Sequence, residues 1–223
     1  MEFAGLIVVG LAVVIGAIVV GFILQKRRRE AMALVAKELG LDFDPADRRG
    51  LDTVFGDISL FREGHSRKAY NVINGNKEEC VVEIFDYTFV TGSGKNRTTH
   101  NRSVCVLTMP LNLPDLFIRP EGFFDKIAGA LGFDDIDFES KEFSSRFLVK
   151  SGDKKFAYDV IHPQTMEFMM AVDNPPIVEL NGRHLACSFK TKIGAPLYSG
   201  LFKFAWTFYR KFPNYVVEER KIV

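Results

Sequence analysis

The residues of this sequence that could bind a ligand are concentrated in a basic, glycine-rich stretch. The segment Thr91-Gly-Ser-Gly-Lys95 resembles part of a phosphate-binding loop, which requires the pattern G-x-x-x-x-G-K-[ST]. Phe89 stands where the first glycine is required, and Asn96 stands where the serine or threonine is required. We therefore interpret the stretch as a hairpin tip that is basic enough to contact an anion. The candidate ligand-binding residues are Asp86, Lys95, Asn96, Arg97 and His100.

Acidic residues alternate with apolar ones from Asp134 to Glu139 (DDIDFE). On a strand, Asp135, Asp137 and Glu139 would share one face and could bind Ca²⁺ or Mg²⁺. The glycine and the ligand spacing of a calcium-binding loop are absent. A solvated strand face, or a partner for the basic tip, is the alternative. We predict no metal centre and no cofactor, and these three carboxylates are the candidate ligands if a metal binds.

The histidines and cysteines show no spacing typical of a catalytic or zinc site. Cys80, Cys105 and Cys187 form no C-x-x-C pair, and their odd number argues against a disulfide scaffold and fits a reducing compartment. Cys105 and Cys187 fall in predicted strands, which favours inert core thiols. The nucleophile pattern G-x-S-x-G is absent. The sequence therefore assigns no catalytic residues, and an enzymatic function is the less favoured of two open alternatives.

The N-terminus carries the strongest structural signal. Phe3 to Leu24 is 22 residues without a charge or a proline, and as a helix it would span about 33 Å, enough to cross a bilayer. Lys26, Arg27, Arg28 and Arg29 follow. The excess of positive charge on this side predicts a single pass through the inner (plasma) membrane, with the N-terminus outside and the chain from Gln25 onward in the cytoplasm. We expect an anchor at 1–25, a juxtamembrane helix at 26–40 and a cytoplasmic domain at 41–223.

Strand and helix patterns are segregated in the cytoplasmic part, which predicts an α+β fold with antiparallel hairpins packed by helices. We expect a loop over 42–50, an ambiguous segment over 51–61, and an extended proline-containing segment over 113–121. The predicted strands are Tyr70–Ile73 (ending at the turn Asn74-Gly75-Asn76), Val81–Thr91, Ser103–Met109, Phe147–Val149, and a hairpin of Ile177–Leu180 with His184–Lys190 around Asn181-Gly182. The predicted helices are Gly122–Leu131, Asp153–Ile161, Pro163–Val172 and Pro196–Phe212.

The last of these helices combines aromatic and basic residues. Trp206 and Phe208 lie among further aromatics, and Lys203, Arg210 and Lys211 accompany them. Such a helix suits a membrane interface, and we include Trp206 and Phe208 with the basic cluster 26–29 as candidate membrane-surface residues. The alternative is a core helix packed on the sheet, because apolar residues cover most of its circumference.

Several stretches resemble a group of bacterial proteins with one N-terminal membrane helix and an uncharacterised cytoplasmic domain. They are Asn71-Val-Ile-Asn-Gly75, Phe85-Asp-Tyr-Thr-Phe-Val-Thr-Gly-Ser-Gly-Lys-Asn96, Leu113-Pro-Asp-Leu-Phe-Ile-Arg-Pro-Glu121, Asp135-Ile-Asp-Phe-Glu139 and Glu142-Phe-Ser144. The resemblance extends over nearly the whole chain. It implies the same architecture and supplies no activity and no catalytic residues.

Three functions are compatible with these features. The first is a membrane-anchored interaction or scaffold module with an unidentified protein partner. The second is a ligand-binding or hydrolytic domain that uses the basic tip or the acidic strand. The third is sensing of the lipid surface by the basic cluster and the aromatic helix. With 29 basic and 28 acidic residues, the chain has no overall charge that favours nucleic acid, so the expected partners are the lipid bilayer and a protein.

Overall fold

A long apolar helix leads into a mixed helix-and-sheet domain in the computed structural model, which describes residues 2–122 and 134–222. Helix α1 (Glu2–Leu39) runs without interruption through the apolar stretch and the basic cluster. Gly40 follows it with φ at 69°, a left-handed conformation that suits glycine at a helix C-terminus. The part of α1 from Gly10 onward is long and apolar enough to span a membrane, and none of its apolar stretch is buried in the domain.

Six strands form one antiparallel sheet. They are β1 (Asp42–Ala46), β2 (His65–Lys77), β3 (Cys80–Thr91), β4 (Thr98–Pro120), β5 (Phe147–Lys150) and β6 (Ile177–Phe189). The order is β1-β2-β3-β4-β5, and β6 also pairs with β4. The first part of β4 lies between β3 and β6, and its last residues lie between β5 and β6. The long strand β4 therefore connects the two halves of the sheet.

Short helices cover the sheet. They are α2 (Leu51–Val54), α3 (Lys141–Arg146), α4 (Lys154–Val160), α5 (Pro163–Met170), α6 (Tyr198–Arg210) and α7 (Asn214–Arg220), with single 3₁₀ turns at Ser59–Arg62, Gly94–Asn96 and Ala195–Leu197. Side chains of Ser140 and Asp153 accept hydrogen bonds from the first turns of α3 and α4. Such caps satisfy backbone N–H groups that the helix leaves unpaired.

The sheet separates two apolar cores. On β3, Val82 and Ile84 face the core shared with α1 and α6, whereas Phe85 and Tyr87 face the core closed by residues 51–61. This alternation follows from the two-residue period of a strand, and both faces are apolar because both are covered. The α+β fold with an antiparallel sheet and packed helices is confirmed.

Several local predictions are wrong. The expected loop 42–50 contains β1, which pairs with β2. Strand β2 continues through Asn74-Gly75-Asn76, and the chain turns at residues 78–79 instead. The expected second hairpin is one continuous strand, β6, in which Gly182 stands at a register shift opposite β4. Helices α3 and α7 were not expected. The predicted helix Gly122–Leu131 falls almost entirely outside the described residues.

Candidate functional site

Asp86 is a carboxylate inside the core between the sheet and its helices. It follows Val82 and Ile84 on the face of β3 that packs against α1 and α6, so the period of the strand directs it inward. Its residue surface is 0% exposed. A buried charge is costly unless it is paired and hydrogen-bonded. The groups that contact Asp86 therefore determine whether its carboxyl group is ionised and whether it is available for chemistry.

Arg28 of α1 is the principal partner of Asp86. Its Nε donates to Asp86 Oδ2 at 2.7 Å and its Nη2 donates to Oδ1 at 2.5 Å, which makes a two-pronged pair. Arg28 Nη1 also donates to the carbonyl of Ile193 at 2.9 Å. The basic cluster 26–29 predicts Arg28 at the membrane surface with its three neighbours, which is wrong for this side chain. The structure directs this side chain into the domain, where 16% of it is exposed.

Four further side chains complete the network, three of them in contact with Asp86 and the fourth, Ser103, in contact with Tyr198. Asn71, in a left-handed conformation with φ at 53°, donates from Nδ2 to Asp86 Oδ2 at 2.8 Å. The Tyr198 hydroxyl donates to Asp86 Oδ1 at 2.8 Å and lies 2.7 Å from Ser103 Oγ. Lys192 Nζ lies 3.4 Å from Asp86 Oδ2. The network thus joins α1, three strands and the first residue of α6.

The electrostatic balance keeps Asp86 ionised. Burial alone would raise the pKa of its carboxyl group, but the hydrogen bonds from Arg28 and Asn71 and the charge of Arg28 outweigh burial, so the pKa of Asp86 lies below its usual value. A carboxylate with this pKa and with both oxygens occupied is poorly suited to accept a proton from a substrate. The arrangement fits a clamp between helix and sheet better than a catalytic base.

The structure does not bring Asp86 together with the basic tip. Asp86 lies five residues before the last paired residue of β3, Thr91, a distance of about 17 Å along the strand. His100 pairs with Phe89 on the opposite face of the sheet, where the two rings stack with centroids 4.8 Å apart. Lys95, Asn96 and Arg97 are exposed in and beside the 3₁₀ turn.

The acidic stretch forms an isolated bridge rather than a full strand. Asp135 pairs with Lys150 through the backbone, and its Oδ1 lies 3.1 Å from Lys150 Nζ. Ile136 and Phe138 are buried, while Asp137 and Glu139 are exposed. Among residues 2–122 and 134–222, no three metal-ligating side chains are close enough together to hold a metal ion.

A cavity of about 800 Å³ lies beside this acidic stretch, between it and α4 and α5. Its apolar lining includes Phe138, Ile161 and Met166. Its four acidic lining residues are exposed and come from three segments: Asp137, Glu139, Glu142 and Glu167. An apolar floor with a charged rim is the usual anatomy of a protein-binding surface.

The cysteines and the aromatic helix belong mainly to the core. All three cysteines are free thiols with at most 1% exposed surface, and burial raises the pKa of Cys80 to about 11. Thiols of this kind are poor nucleophiles. In α6, Phe208 is 0% exposed, so its ring is not available to a lipid surface, whereas Trp206 is partly exposed.

The fold of this chain is similar to that of a protein of known structure. No protein-family model and no curated protein matches this sequence. The structure is similar to the crystal structure of the mycobacterial trehalose monomycolate transport factor A, TtfA, with a TM-score of 0.59 and 15% sequence identity. The match covers 89% of this chain and 97% of that chain. This chain therefore has the same fold as a bacterial transport factor over nearly its entire length.

Proposed function

We propose that this protein is a single-pass membrane accessory protein whose cytoplasmic domain is held at the bilayer surface as a docking module for a membrane transport machinery. In this proposal the N-terminus lies outside, the span is Phe3 to Leu24, and the domain lies in the cytoplasm. The four basic residues that follow Leu24 support this orientation, because positive charge is retained on the cytoplasmic side.

The observation that carries the proposal is the pair between Arg28 and Asp86. Arg28 lies four residues after Leu24 on the same uninterrupted helix, and it is bonded at 2.5 and 2.7 Å to a fully buried carboxylate of the sheet. Met32, Val35 and Ala36 of α1 are also buried in the core. The anchor and the domain are thus packed together without a flexible linker between them. This arrangement suits a protein that must hold a binding surface at a fixed distance from the bilayer and in a fixed orientation.

The similarity to the trehalose monomycolate transport factor supports a role in transport. The buried carboxylate of Asp86 is engaged by Arg28, Asn71 and Tyr198, which favours a structural role for it over a catalytic one. The cavity with the acidic rim is the docking surface in this proposal. Its partner is a segment of another protein with a basic and an apolar face, because the rim is negative and the floor is apolar.

Affinity capture from native membranes tests the proposal. The tagged full chain is compared with a tagged anchor fragment, residues 1–40, and captured proteins are identified by mass spectrometry. We expect a transport protein that requires the domain. The double variant Glu142→Lys, Glu167→Lys should lose it, because two reversed charges oppose a basic partner. The variant Glu218→Lys reverses an exposed charge away from the cavity and should retain it.

Two results would count against this function. One is recovery of the same proteins with the anchor fragment alone, which would place the interaction in the membrane helix. The other is capture that the Glu142→Lys, Glu167→Lys variant retains in full, which would remove the cavity as the docking surface. Thermal unfolding of each variant shows whether the domain is folded.

A further inference from the structure

A second cavity, of about 340 Å³, lies between α1 and the edge of the sheet formed by β1 and β2. Four cationic side chains line it: Arg28, Arg29, Lys68 and Lys192. Arg28 and Arg29 reach it together with Gln25 because residues three and four apart share one face of a helix. Tyr70 and Asn71 add hydrogen-bonding groups to the wall.

The positive charge of this basic cleft exceeds the negative charge that faces it. Arg28 and Lys192 share the single carboxylate of Asp86, at 2.5 and 3.4 Å. Arg29 and Lys68 are exposed, and neither pairs with a carboxylate of the described residues. Burial, together with the nearby Arg28, lowers the pKa of Lys192. Four cationic side chains against the one carboxylate of Asp86 leave three positive charges uncompensated around a cavity that also offers neutral hydrogen-bond donors.

The cleft lies at the height where lipid headgroups are found if α1 spans the bilayer as proposed above. Arg28 and Arg29 follow Leu24 by four and five residues, about 6 to 8 Å along the helix axis. The polar layer on one side of a bilayer is about 5 to 8 Å deep. A cleft opening between these residues and the sheet edge thus lies beside headgroups rather than out in the cytoplasm.

The directions of β2 and β3 relative to α1 place the basic tip on the same side of the domain as the cleft. From Arg28, beside Asp86, the chain follows α1 to its end and reaches Leu41, which packs against Gly75. Strand β2 therefore leads away from the membrane from Asn71 to Gly75, and the antiparallel β3 leads back toward it from Asp86 to Thr91. The basic tip with Lys95 and Arg97 accordingly extends on the same side as the cleft.

We propose that the basic cleft binds the phosphate-bearing headgroup of an anionic phospholipid. This inference rests on the proposed membrane insertion but does not require a protein partner. Arg29 and Lys68 supply the unpaired charges for the phosphate oxygens, and Arg28 and Lys192 add to the local positive potential while they remain bound to Asp86. A bound headgroup would fix the sheet edge to the bilayer at a second point beside the helix.

Native mass spectrometry of the full chain in detergent micelles tests this site. The probes are phosphatidylglycerol and, as the zwitterionic control, phosphatidylcholine at the same mole fraction. We expect retained adducts of phosphatidylglycerol. Arg29→Gln and Lys68→Gln should each weaken that binding about fivefold, because each removes one charge near the headgroup. Arg27→Gln removes the same charge from the same helix outside the cleft and should change binding by less than about twofold.

Three outcomes would overturn the site. Equal losses in Arg27→Gln and Arg29→Gln would mean diffuse attraction, and equal binding of phosphatidylcholine would mean no recognition of charge. Stabilisation by glycerol 1-phosphate in lipid-free micelles equal to that by phosphatidylglycerol would mean a soluble phosphate ligand. The adduct assay contains no protein partner, so its failure leaves the docking function standing. A chain that needs no detergent would instead remove the membrane insertion on which both rest.

Discussion

Removal of Arg28 tests the clamp between α1 and the sheet. In Arg28→Met an unbranched side chain of similar apolar length is kept while both hydrogen bonds to Asp86 are lost, and bonds to charged groups contribute about 1.5 to 3 kcal/mol each. Asn71, Tyr198 and Lys192 still contact the carboxylate and offset part of the loss. We expect the free energy of unfolding to fall by about 3 kcal/mol, near the lower end for breaking a buried ion pair.

The complementary variant and a double-mutant cycle separate the pair from other effects. Asp86→Asn should cost about 2 kcal/mol, because Arg28 is partly exposed and can turn to water when the carboxylate is lost. The coupling energy from the double variant should then be about 2 kcal/mol. Arg27→Met, an exposed neighbour without a place in the network, should stay within about 0.5 kcal/mol of the unchanged protein.

Denaturant unfolding of the full chain in detergent micelles provides the assay. Trp206 is the single tryptophan and lies in α6, which packs against the sheet. Its fluorescence therefore reports unfolding of the domain rather than of the apolar part of α1. An Arg28→Met protein as stable as Arg27→Met would refute the clamp. So would a coupling energy of zero, because it would mean that the two groups act independently.

The same pair predicts a dependence of stability on pH. The folded-state pKa of Asp86 lies below its ordinary value of 3.8, so its contribution is present above pH 3.8 and is lost as the pH falls through the folded-state pKa. The unchanged protein should therefore lose stability below about pH 4. Asp86→Asn should lack this component, and identical pH profiles for the two proteins would argue against a salt-bridged, ionised Asp86.

Three further predictions concern other parts of the domain. Phe208→Ala should lower the free energy of unfolding by about 3 to 5 kcal/mol, because the ring is fully buried, whereas Trp206→Ala should cost clearly less. Because the second variant lacks the tryptophan, unfolding of both is followed by circular dichroism, and equal losses would contradict this prediction. Glu179 accepts hydrogen bonds from Ser59 N and Oγ at 2.6 and 2.7 Å, yet burial raises its pKa above the ordinary value. Glu179→Gln should therefore raise the free energy of unfolding at pH 7 and lose this gain below pH 4, and a lower free energy of unfolding at pH 7 would refute it. Ca²⁺ or EDTA should leave the melting temperature unchanged, because Asp135 is held by Lys150, and a clear shift would reveal a metal site.

The elements with strong local patterns could be predicted from the sequence. The apolar run and the basic cluster indicated a long N-terminal helix, and β3 differs from its prediction by one residue at its start. Pro163 at the first turn of α5 and Asp153 before α4 marked helix starts correctly. These signals are local, so they do not depend on which elements become neighbours.

Features that depend on long-range pairing were missed. The short strand β1 contains Asp42, Asp44 and Pro45 and has little strand propensity, and it forms because β2 offers an edge with free hydrogen-bonding groups. Asn181-Gly182 is typical of a tight turn, but β4 pairs with the chain on both sides of it, so the chain continues as one bulged strand.

The central network could be predicted only in part. Asp86 was singled out, and its position between Phe85 and Tyr87 in an apolar strand indicates a buried charge. Nothing in the sequence separates Arg28 from Arg27 or Arg29 as its partner. That choice depends on the face that α1 turns toward the sheet, and the contact between Arg28 and Asp86 joins residues 58 apart in sequence.

The central claim is that the anchor holds the domain at the bilayer with its basic side toward the lipid. A nitroxide on Ser93→Cys, at the tip, and one on Lys77→Cys, at the far end of β2, test it in vesicles. Both sites are exposed, and the three native cysteines are buried, so labelling is selective. We predict that a relaxation agent attached to lipid headgroups affects the Ser93 label far more strongly than the Lys77 label. Equal effects, or a stronger effect at Lys77, would contradict the account.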